Sequence, residues 1–256
     1  MALFELVSSD DSGRARPAGV AAVAFAPPDR LERPQAASET SSFQRRAPKA
    51  GGRGSDLACR GLDITLAALM ILFLAPLLLL LAVLVQLQDG GPALFAQQRV
   101  GRGGRMFGCL KFRTMVIDAD DRLAALLHAN PSVRSEWETD HKLRVDPRVT
   151  PLGRFLRLSS LDELPQLFNV LRGEMSLVGP RPIVAAEVHR YRRFYAQYCS
   201  VAPGITGLWQ ISGRNDVDYK RRVVMDVAYV RRRSFALNCS IIAGTIPALL
   251  ARRGAY

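Results

Sequence analysis

The chain has few of the side chains that build metal centres and disulfide frameworks. Its 256 residues include 3 histidines and 4 cysteines. The cysteines are widely spaced and form no C-x-x-C pair: Cys59, Cys109, Cys199 and Cys239. This spacing indicates neither a zinc site nor a disulfide framework, and reduced thiols in a cytosolic setting fit it best. The histidines show no metal-ligand spacing either, so metal binding by histidine is not expected.

Acidic residues are also scarce relative to basic ones. Lys and Arg number 35 against 23 Asp and Glu, which gives a formal net charge of +12 and a pI near 10.3. Such an excess implies an anionic partner, which could be nucleic acid, acidic lipid or a phosphorylated substrate. The sequence contains no motif of a nucleic-acid-binding fold but does contain a long apolar segment. Anionic lipid of the cytoplasmic leaflet and phosphate substrates are therefore expected, and nucleic acid is not.

Composition divides the chain into three parts. Residues 1–55 have no sustained hydrophobic period and are rich in Ala, Pro, Ser, Gly and Arg, which predicts a flexible N-terminal tail. Residues 56–90 contain the long apolar run and are expected to insert into a membrane. Residues 91–256 mix apolar, charged and glycine-rich stretches and are expected to form one main cytoplasmic domain.

The apolar run extends from Ile64 to Val85, long enough to span a bilayer, and Pro76 lies in its middle. A proline removes a backbone hydrogen bond there and bends or breaks the helix. Basic residues flank the run on both sides, which puts both flanks in the cytoplasm under the positive-inside rule. Two interpretations stay open: an ordinary transmembrane helix, and a re-entrant helix-break-helix that leaves on the side it entered. The two basic flanks favour re-entry.

Beyond the apolar run, the sequence predicts a β-hairpin. The β-like runs Ala93 to Val100 and Phe107 to Met115 flank the glycine-rich GRGGR turn. GRGGR lacks the spacing of a phosphate-binding P-loop, so turn chemistry explains its glycines. Alternation puts Lys111 and Arg113 on one face of the second strand. That face is either solvated or directed toward an anion, and the residues alone do not separate the two.

The most informative stretch is SSLDELPQLFNVLRGEMSLVGPRP, which ends at Pro182. Apolar residues recur at i, i+3, i+4 and i+7: Leu164, Leu167, Phe168 and Leu171. This period predicts a helix from Ser160 to Arg172, with Gly173 as its left-handed C-terminal cap. Ser160 and Glu163 have the spacing of a capping box, and Asp162 lies in the favoured first turn. A purely structural interpretation is that both acids cap the helix.

The same stretch also supports a chemical interpretation. Neighbouring helical residues point roughly 100° apart, so Asp162 and Glu163 would take different roles. One carboxylate can attack an electrophile while the other holds a divalent cation. Arg181 lies between two prolines with fixed φ, which aims its guanidinium at low entropic cost and suits phosphate oxygens. Together these residues favour a phosphorus electrophile over capping alone.

Further basic and aromatic residues are candidates with two readings each. Arg154 and Arg157 would share one face of a helical turn, where they bind lipid phosphate or stay solvated. Trp209 and Arg214 lie in the glycine-punctuated PGITGLWQISGRN, which is either a ligand pocket or an ordinary loop. Residues 184–198 predict a helix whose tyrosines pack in the core. Residues 217–256 interleave basic and apolar residues, as in an interfacial membrane helix or a buried amphipathic one.

Several long motifs, in order, resemble the bacterial sugar transferase family. Its members are monotopic polyprenyl-phosphate hexose-1-phosphate transferases that start exopolysaccharide, capsule and glycan assembly. The resemblance runs from about Arg60 to Tyr256 and is carried by QQRVGRGGRMFGCLKFRTM, DPRVTPLGRFLRLSSLDELPQLFNVLRGEMSLVGPRP and PGITGLWQISGRN. The C-terminal YVRRRSFALNCSIIAGTIPALLARRGAY looks most like the ExoY type of exopolysaccharide-initiating transferase.

The resemblance implies a mixed α/β, predominantly helical protein on the cytoplasmic face of the bacterial inner membrane. It implies one re-entrant helix, interfacial amphipathic helices and a catalytic domain over residues 91–256. The implied reaction moves a hexose 1-phosphate, of galactose or glucose, from a UDP-sugar to undecaprenyl phosphate and releases UMP. The competing expectation is a non-enzymatic basic membrane adaptor of a polysaccharide assembly complex. Whether the protein forms a homodimer stays open.

The resemblance also assigns roles to particular residues. Asp162 would be the nucleophile that attacks the phosphorus bearing the sugar, with Glu163 beside it. Both carboxylates would hold Mg²⁺. The substrate-binding residues would be Lys111, Arg113, Arg154, Arg157, Arg181, Trp209 and Arg214.

Overall fold

A computed structural model describes residues 53–140, 143, 146–212 and 218–250. The predicted N-terminal tail lies almost wholly outside these residues. Helices dominate the described part, as the sequence predicted, and the strands form two small sheets. The elements in chain order are α1 (Arg53–Asp89), β1 (Leu94–Val100), β2 (Met106–Phe112), α2 (Ala119–Ala129), α3 (Pro131–Asp140), α4 (Pro151–Ser159), α5 (Gln166–Arg172), β3 (Ser176–Val178), α6 (Val188–Tyr191), α7 (Tyr195–Tyr198), β4 (Gly204–Thr206), α8 (Leu208–Ile211), α9 (Tyr219–Arg232) and α10 (Phe235–Leu250).

One stripe of the long helix α1 packs against the rest of the chain. Its buried members recur every three or four residues in each half of the helix: Cys59, Asp63, Ala67, Leu78, Leu81 and Val85. The rest of the helix surface carries large apolar side chains, of which Leu72 is 75% and Phe73 83% exposed. The most apolar part of α1 is only 11% buried and is long enough to cross a membrane. An apolar surface of this size left uncovered by protein indicates association with a membrane.

The predicted break at Pro76 is not confirmed. The helical assignment runs from Arg53 to Asp89 without interruption, with Pro76 inside it. The sequence predicted two helical arms separated by a break, whereas the missing backbone hydrogen bond of a single proline can be absorbed within one continuous helix. The re-entrant path of this segment is therefore argued below as a proposal.

The predicted β-hairpin is confirmed, with a shorter second strand. β1 and β2 pair antiparallel, with Leu94 opposite Phe112 and Val100 opposite Met106. The turn between them has Gly103 and Gly104 at positive φ, a conformation that glycine adopts without steric cost. Arg113 to Met115, expected in the second strand, lie beyond its end.

The central stretch differs from the predicted single helix. α4 ends at Ser159 and is followed by Ser160 in a left-handed conformation (φ 59°), and a 3₁₀ turn over Leu161–Glu163 separates α4 from α5. Ser160 makes no side-chain cap, so the predicted capping box is wrong. α5 instead begins after Pro165, because proline lacks the N–H that a longer helix would need. The predicted C-terminal cap is confirmed, since Gly173 has φ 82°.

The buried face of α5 is also not the predicted apolar stripe. Leu167 and Val170 are buried, but so are the polar Gln166 and Asn169. Phe168 and Leu171, expected in the core, are each 36% exposed. The structure buries polar side chains here because Asn169 bonds to the neighbouring hairpin, as described below.

The remaining helices follow the sequence in part. α2 and α3 continue the chain beyond the hairpin. The helix predicted over residues 184–198 is split into α6, α7 and two 3₁₀ turns, around Arg192 at φ 45°. Its tyrosines nevertheless pack in the core, as expected, and Tyr191 and Tyr198 are buried.

The C-terminal pair of helices returns to α1. Arg233, which follows α9, forms an ion pair with Asp56 at the start of α1, with 2.6 Å between Nη1 and Oδ1. Ile241 of α10 is buried in the same apolar cluster as Ala67 of α1. Ile246 of α10 is 61% exposed. α10 is thus partly buried and partly exposed, which combines the two readings left open by the sequence.

Candidate active site

Lys111 and the two acids predicted as catalytic meet at one place. Lys111 comes from the end of β2, and the 3₁₀ turn presents Asp162 and Glu163 toward it. The Lys111 ammonium nitrogen lies 2.7 Å from Glu163 Oε1 and 3.8 Å from Asp162 Oδ2. Glu163 therefore binds a side chain from the hairpin and does not cap a helix. The two acids are neighbours in the sequence, and the fold adds the lysine, which lies 52 residues before Glu163.

The two carboxylates have different environments. The Asp162 side chain is 11% exposed, whereas that of Glu163 is 41% exposed. The pKa of Asp162 is raised to about 6, mainly by burial; the charge of Glu163 adds to this shift, and the charges of Lys111 and Arg157 oppose it. A buried carboxylate that has few partners and is still mostly ionised at neutral pH is suited to nucleophilic attack. The two acids thus differ in how far their side chains are exposed.

Asn169 holds α5 against the hairpin and so fixes the distance between Lys111 and the acids. Its side-chain oxygen accepts from the Leu110 backbone N–H at 2.9 Å, and its side-chain nitrogen donates to the Gly108 carbonyl at 2.8 Å. Asn169 is fully buried. Buried backbone groups require a hydrogen-bond partner. Along the edge of β2, directly before Lys111, the Asn169 side chain supplies the hydrogen bonds that a neighbouring strand would otherwise make. Sequence reasoning missed this residue; the only signal was a polar residue inside an apolar helical period.

Arg157 approaches the site from α4. Its Nε donates to Thr114 Oγ1 at 2.9 Å. The start of α4 is capped by the Thr150 hydroxyl, which accepts from Gly153 N–H at 2.9 Å. It also lies against the segment that contains Thr114, since a Cβ at Gly153 would be 2.0 Å from the Thr114 carbonyl oxygen. Glycine is required at position 153 for this close approach. Arg154 and Arg157 are both exposed on α4, and Arg157 bonds to Thr114.

Two further predicted binding residues lie apart from the two acids or outside the described part of the chain. Arg113 is directed to the end of α1, where it forms an ion pair with Asp89 and donates to the Val85 carbonyl at 3.2 Å. Its structural role is to join the hairpin to the membrane-associated helix. Arg214 lies outside the described residues.

The GPRP and PGITG motifs are packed backbone against backbone. A Cβ at Gly204 would lie 2.0 Å from the Gly179 nitrogen, and Gly179 N–H donates to the Thr206 carbonyl at 2.9 Å. These contacts put Arg181 beside Trp209, with 5.2 Å between the guanidinium carbon and the ring centroid. The glycines thus serve the close approach of two chain segments, which brings Arg181 and Trp209 into contact.

Sequence reasoning missed the basic residue that connects this cluster to the acids. Arg99 of β1 donates to the Pro182 carbonyl at 3.1 Å and to Gln97 Oε1 at 2.6 Å. Burial lowers the pKa of Arg99, and the charge of Arg181 lowers it further, while Glu163 opposes the shift. Arg99 therefore lies within electrostatic reach of both groups of site residues. Only its position in the same hairpin as Lys111, opposite Phe107, could have signalled it.

Asp162 and Glu163 supply two carboxylate groups that can bind a metal ion. Within the described ranges there is no group of three or more His, Cys, Asp or Glu side chains that could hold a metal. Mg²⁺ nevertheless often binds through one or two carboxylates, with substrate phosphates and water completing its six ligands. Both carboxylates face the Lys111 ammonium group, so the site already binds one cation. The residues fit a magnesium ion that arrives with a phosphorylated substrate.

Comparison with known proteins agrees with the motifs. A family model described as bacterial sugar transferase matches residues 55–252. An undecaprenyl-phosphate galactose phosphotransferase of Salmonella typhimurium is 54% identical over 169 residues, which are 66% of this chain and 36% of that protein. An exopolysaccharide production protein ExoY of Sinorhizobium fredii is 49% identical over 173 residues, 68% of this chain and 76% of that protein.

A relative whose name specifies a different sugar also matches. An undecaprenyl-phosphate glucose phosphotransferase of Komagataeibacter xylinus is 43% identical over 183 residues, 67% of this chain and 32% of that protein. The chain thus spans about a third of the Salmonella and Komagataeibacter proteins but three quarters of the Sinorhizobium one.

Proposed function

The chain belongs to the bacterial sugar transferase family, and we propose that it transfers a hexose 1-phosphate from a UDP-sugar to undecaprenyl phosphate, releasing UMP. The observation that carries this proposal is the buried Asp162 carboxyl, with a pKa of about 6, beside Lys111 and Glu163. A carboxylate held this way is ionised at neutral pH and has only a weak competing partner. Galactose is the proposed sugar, because the relatives named galactose phosphotransferase and ExoY are more similar to this chain than the glucose phosphotransferase is.

The proposed reaction has two displacements at one phosphorus. An Asp162 carboxylate oxygen forms a bond to the phosphorus that bears the sugar, and the bond from that phosphorus to the bridging oxygen breaks. UMP leaves with the electron pair of the broken bond. An oxygen of undecaprenyl phosphate then attacks the same phosphorus and frees Asp162, so that the product is a lipid diphosphate sugar. Lys111 lies where it neutralises charge around the phosphoryl oxygens.

Mg²⁺ is proposed as the cofactor, held by Asp162 and Glu163 together with the donor diphosphate. When bound, the ion neutralises phosphate charge, as metal ions do in phosphoryl transfer. Glu163 is the more exposed of the two acids and keeps its ion pair with Lys111 until substrate arrives.

Turnover by purified protein tests the proposed function. We expect detergent-solubilised full-length chain, given UDP-galactose, undecaprenyl phosphate and Mg²⁺, to release UMP and form a lipid-linked sugar. EDTA should stop the reaction, because the donor phosphates and both carboxylates would lose their shared cation. A panel of UDP-sugars identifies the preferred donor. Absence of turnover with every donor, from folded protein, would favour the basic membrane adaptor instead.

We further propose that α1 re-enters on the cytoplasmic side and so makes the protein monotopic on the inner membrane. Both ends of the helix bind the same domain. Near its start, Arg60 donates to the Val170 and Leu171 carbonyls of α5 at 2.7 and 3.1 Å. At its end, Asp89 pairs with Arg113. Charged groups that bind one domain at both ends are hard to separate across a bilayer, since burying them there is costly. The basic excess would add contacts with anionic lipid.

Thiol labelling in intact cells tests this topology. Gly54→Cys and Gln88→Cys put single exposed thiols at the two ends of α1, where position 54 has open space for a side chain. Neither thiol should react with a membrane-impermeant reagent until the cells are permeabilised. The unsubstituted protein, whose Cys59 and Cys109 are buried, supplies the background. Labelling of position 54 alone from outside would show a straight span and contradict re-entry, while leaving the chemistry of Asp162 untouched.

A further inference from the structure

Buried polar atoms without a partner gather around Trp209, away from the two acids. Eight such side-chain atoms occur among the described residues, and four of them belong to side chains that stack at this place. They are Arg181 Nε, Trp209 Nε1, Tyr219 OH and Arg222 Nε. A buried donor or acceptor that lacks a partner costs free energy, so such groups in a native protein call for a bound molecule or water. Their concentration at one place indicates a ligand.

The helix α9 contributes residues that no motif singled out. The Arg222 guanidinium carbon lies 4.5 Å from the Trp209 ring centroid and 5.6 Å from that of Tyr219. Arg222 and Tyr219 are three residues apart and so lie on one side of the helix. Trp209 therefore has two arginines at its ring, Arg222 from α9 and Arg181 from the GPRP motif. A guanidinium stacked on a ring keeps its in-plane N–H groups available for oxygen ligands.

Asp226, one turn further along α9, holds this arrangement in place. Its carboxylate accepts from the Tyr191 hydroxyl at 2.6 Å and from the Arg181 backbone N–H. Its oxygens are thus occupied by neutral donors and do not pair with the guanidinium groups. Among the described residues Glu187 is also close by, 3.9 Å from Arg99. Arginines accordingly outnumber acids around Trp209, and their mutual repulsion favours a bound anion.

The chemistry of the unpaired atoms narrows the ligand. Three of the four are N–H donors and one is a hydroxyl, which suit the oxygens of a phosphate. In the proposed reaction the two acids act on the phosphorus that bears the sugar, so a phosphate bound at this separate cluster is the second phosphate of the donor. That phosphate belongs to the nucleoside monophosphate half.

We propose that Arg181, Trp209, Tyr219 and Arg222 form a subsite for the nucleoside monophosphate half of the donor, the half that leaves as UMP. The proposal rests on the proposed function and divides the site in two. Asp162, Glu163 and Lys111 act on the phosphorus that carries the sugar, and Arg99 lies between the two groups. Arg222 and Tyr219 are thus substrate-binding residues of α9 that hold the leaving nucleotide.

Direct binding of UMP to the full-length protein in detergent, measured by calorimetry, tests the subsite without turnover. Arg222→Gln should raise the Kd for UMP at least about tenfold, because it removes a charged hydrogen-bond donor. Tyr219→Phe removes a single oxygen and should weaken UMP binding in the same direction, which keeps the test open if Arg222→Gln misfolds. Arg193→Gln is the matched control. Arg193 also stacks on a ring, at 5.0 Å from Phe194, but is exposed and outside the cluster.

The outcomes separate this subsite from the reaction itself. Asp162→Asn should bind UMP within about twofold of the unsubstituted protein, since the nucleophile lies outside the subsite. If the protein turns over but Arg222→Gln and Tyr219→Phe keep the original Kd for UMP, the subsite is wrong and the reaction stands. If those variants instead raise only the KM for undecaprenyl phosphate, the cluster binds the acceptor phosphate, which also overturns the proposal. If the protein shows no turnover but both variants still weaken UMP binding, the reaction is refuted and the nucleotide site stands.

Discussion

Replacement of Asp162 by asparagine is expected to abolish sugar phosphate transfer while leaving the protein folded. The amide keeps the size of the carboxyl group but cannot form the acyl phosphate bond, so turnover should fall to background. Initial rates of lipid-linked product formation measure this loss. Turnover retained at more than about a hundredth of the original rate would end the nucleophilic role.

The same substitution has a second, opposite consequence for stability. The folded-state pKa of Asp162 is raised to about 6 from an ordinary value near 3.8. The native state therefore binds the proton more tightly than the unfolded chain, and stability is lost as pH rises from about 4 to about 6. At neutral pH the asparagine variant avoids this penalty and should gain up to about 3 kcal/mol. Thermal unfolding in detergent at pH 5 and pH 7.5 measures it. A loss of stability would instead indicate a purely structural role.

Replacement of Lys111 by methionine is expected to give the second largest defect. Methionine keeps the length of the side chain but removes the charge that lies 2.7 Å from Glu163 and 3.8 Å from Asp162. The rate constant for UMP release should fall about 10²-fold, as when one charge-stabilising donor is removed from an active site. Arg102→Met is a matched control, because Arg102 is an exposed basic residue in the turn of the same hairpin.

The pH profile distinguishes an electrostatic role of Lys111 from simple misfolding. Asp162 must be ionised to attack, so UMP release from the donor should fall tenfold per pH unit below about pH 6. Lys111 lowers the pKa of Asp162, and its removal should therefore move this acid limb to higher pH. A lower rate with an unmoved limb would contradict direct contact between the Lys111 charge and the nucleophile.

The sequence predicts the secondary-structure elements and the two acidic site residues better than it predicts the contacts between distant parts of the chain. Glycine caps and turn residues are local signals, which is why the β-hairpin and the Gly173 cap agree with expectation. The helix boundary at Ser160 was missed because its left-handed conformation is imposed by the junction of α4 and the 3₁₀ turn. Asn169 and Arg99 were missed because their partners lie far along the chain, and no periodicity encodes such contacts.

For the long apolar helix, the sequence predicts the element but not whether it is broken at Pro76. Length and composition identify it from sequence, and its exposed apolar surface agrees. Whether it breaks at Pro76 depends on a balance between one lost hydrogen bond and the packing of both ends, and local residues do not decide that balance.

The most direct measurement of the central claim is UMP release from donor alone. Purified protein is mixed with UDP-galactose and Mg²⁺ in the absence of undecaprenyl phosphate, and UMP is counted per protein while intact-protein mass is recorded. A covalent mechanism predicts a burst of about one UMP per active chain, with a matching gain of one hexose phosphate that is absent from Asp162→Asn and lost on addition of the lipid phosphate. UMP that appears only after the lipid phosphate is added, with no gain in protein mass, would contradict it and indicate direct attack by the acceptor.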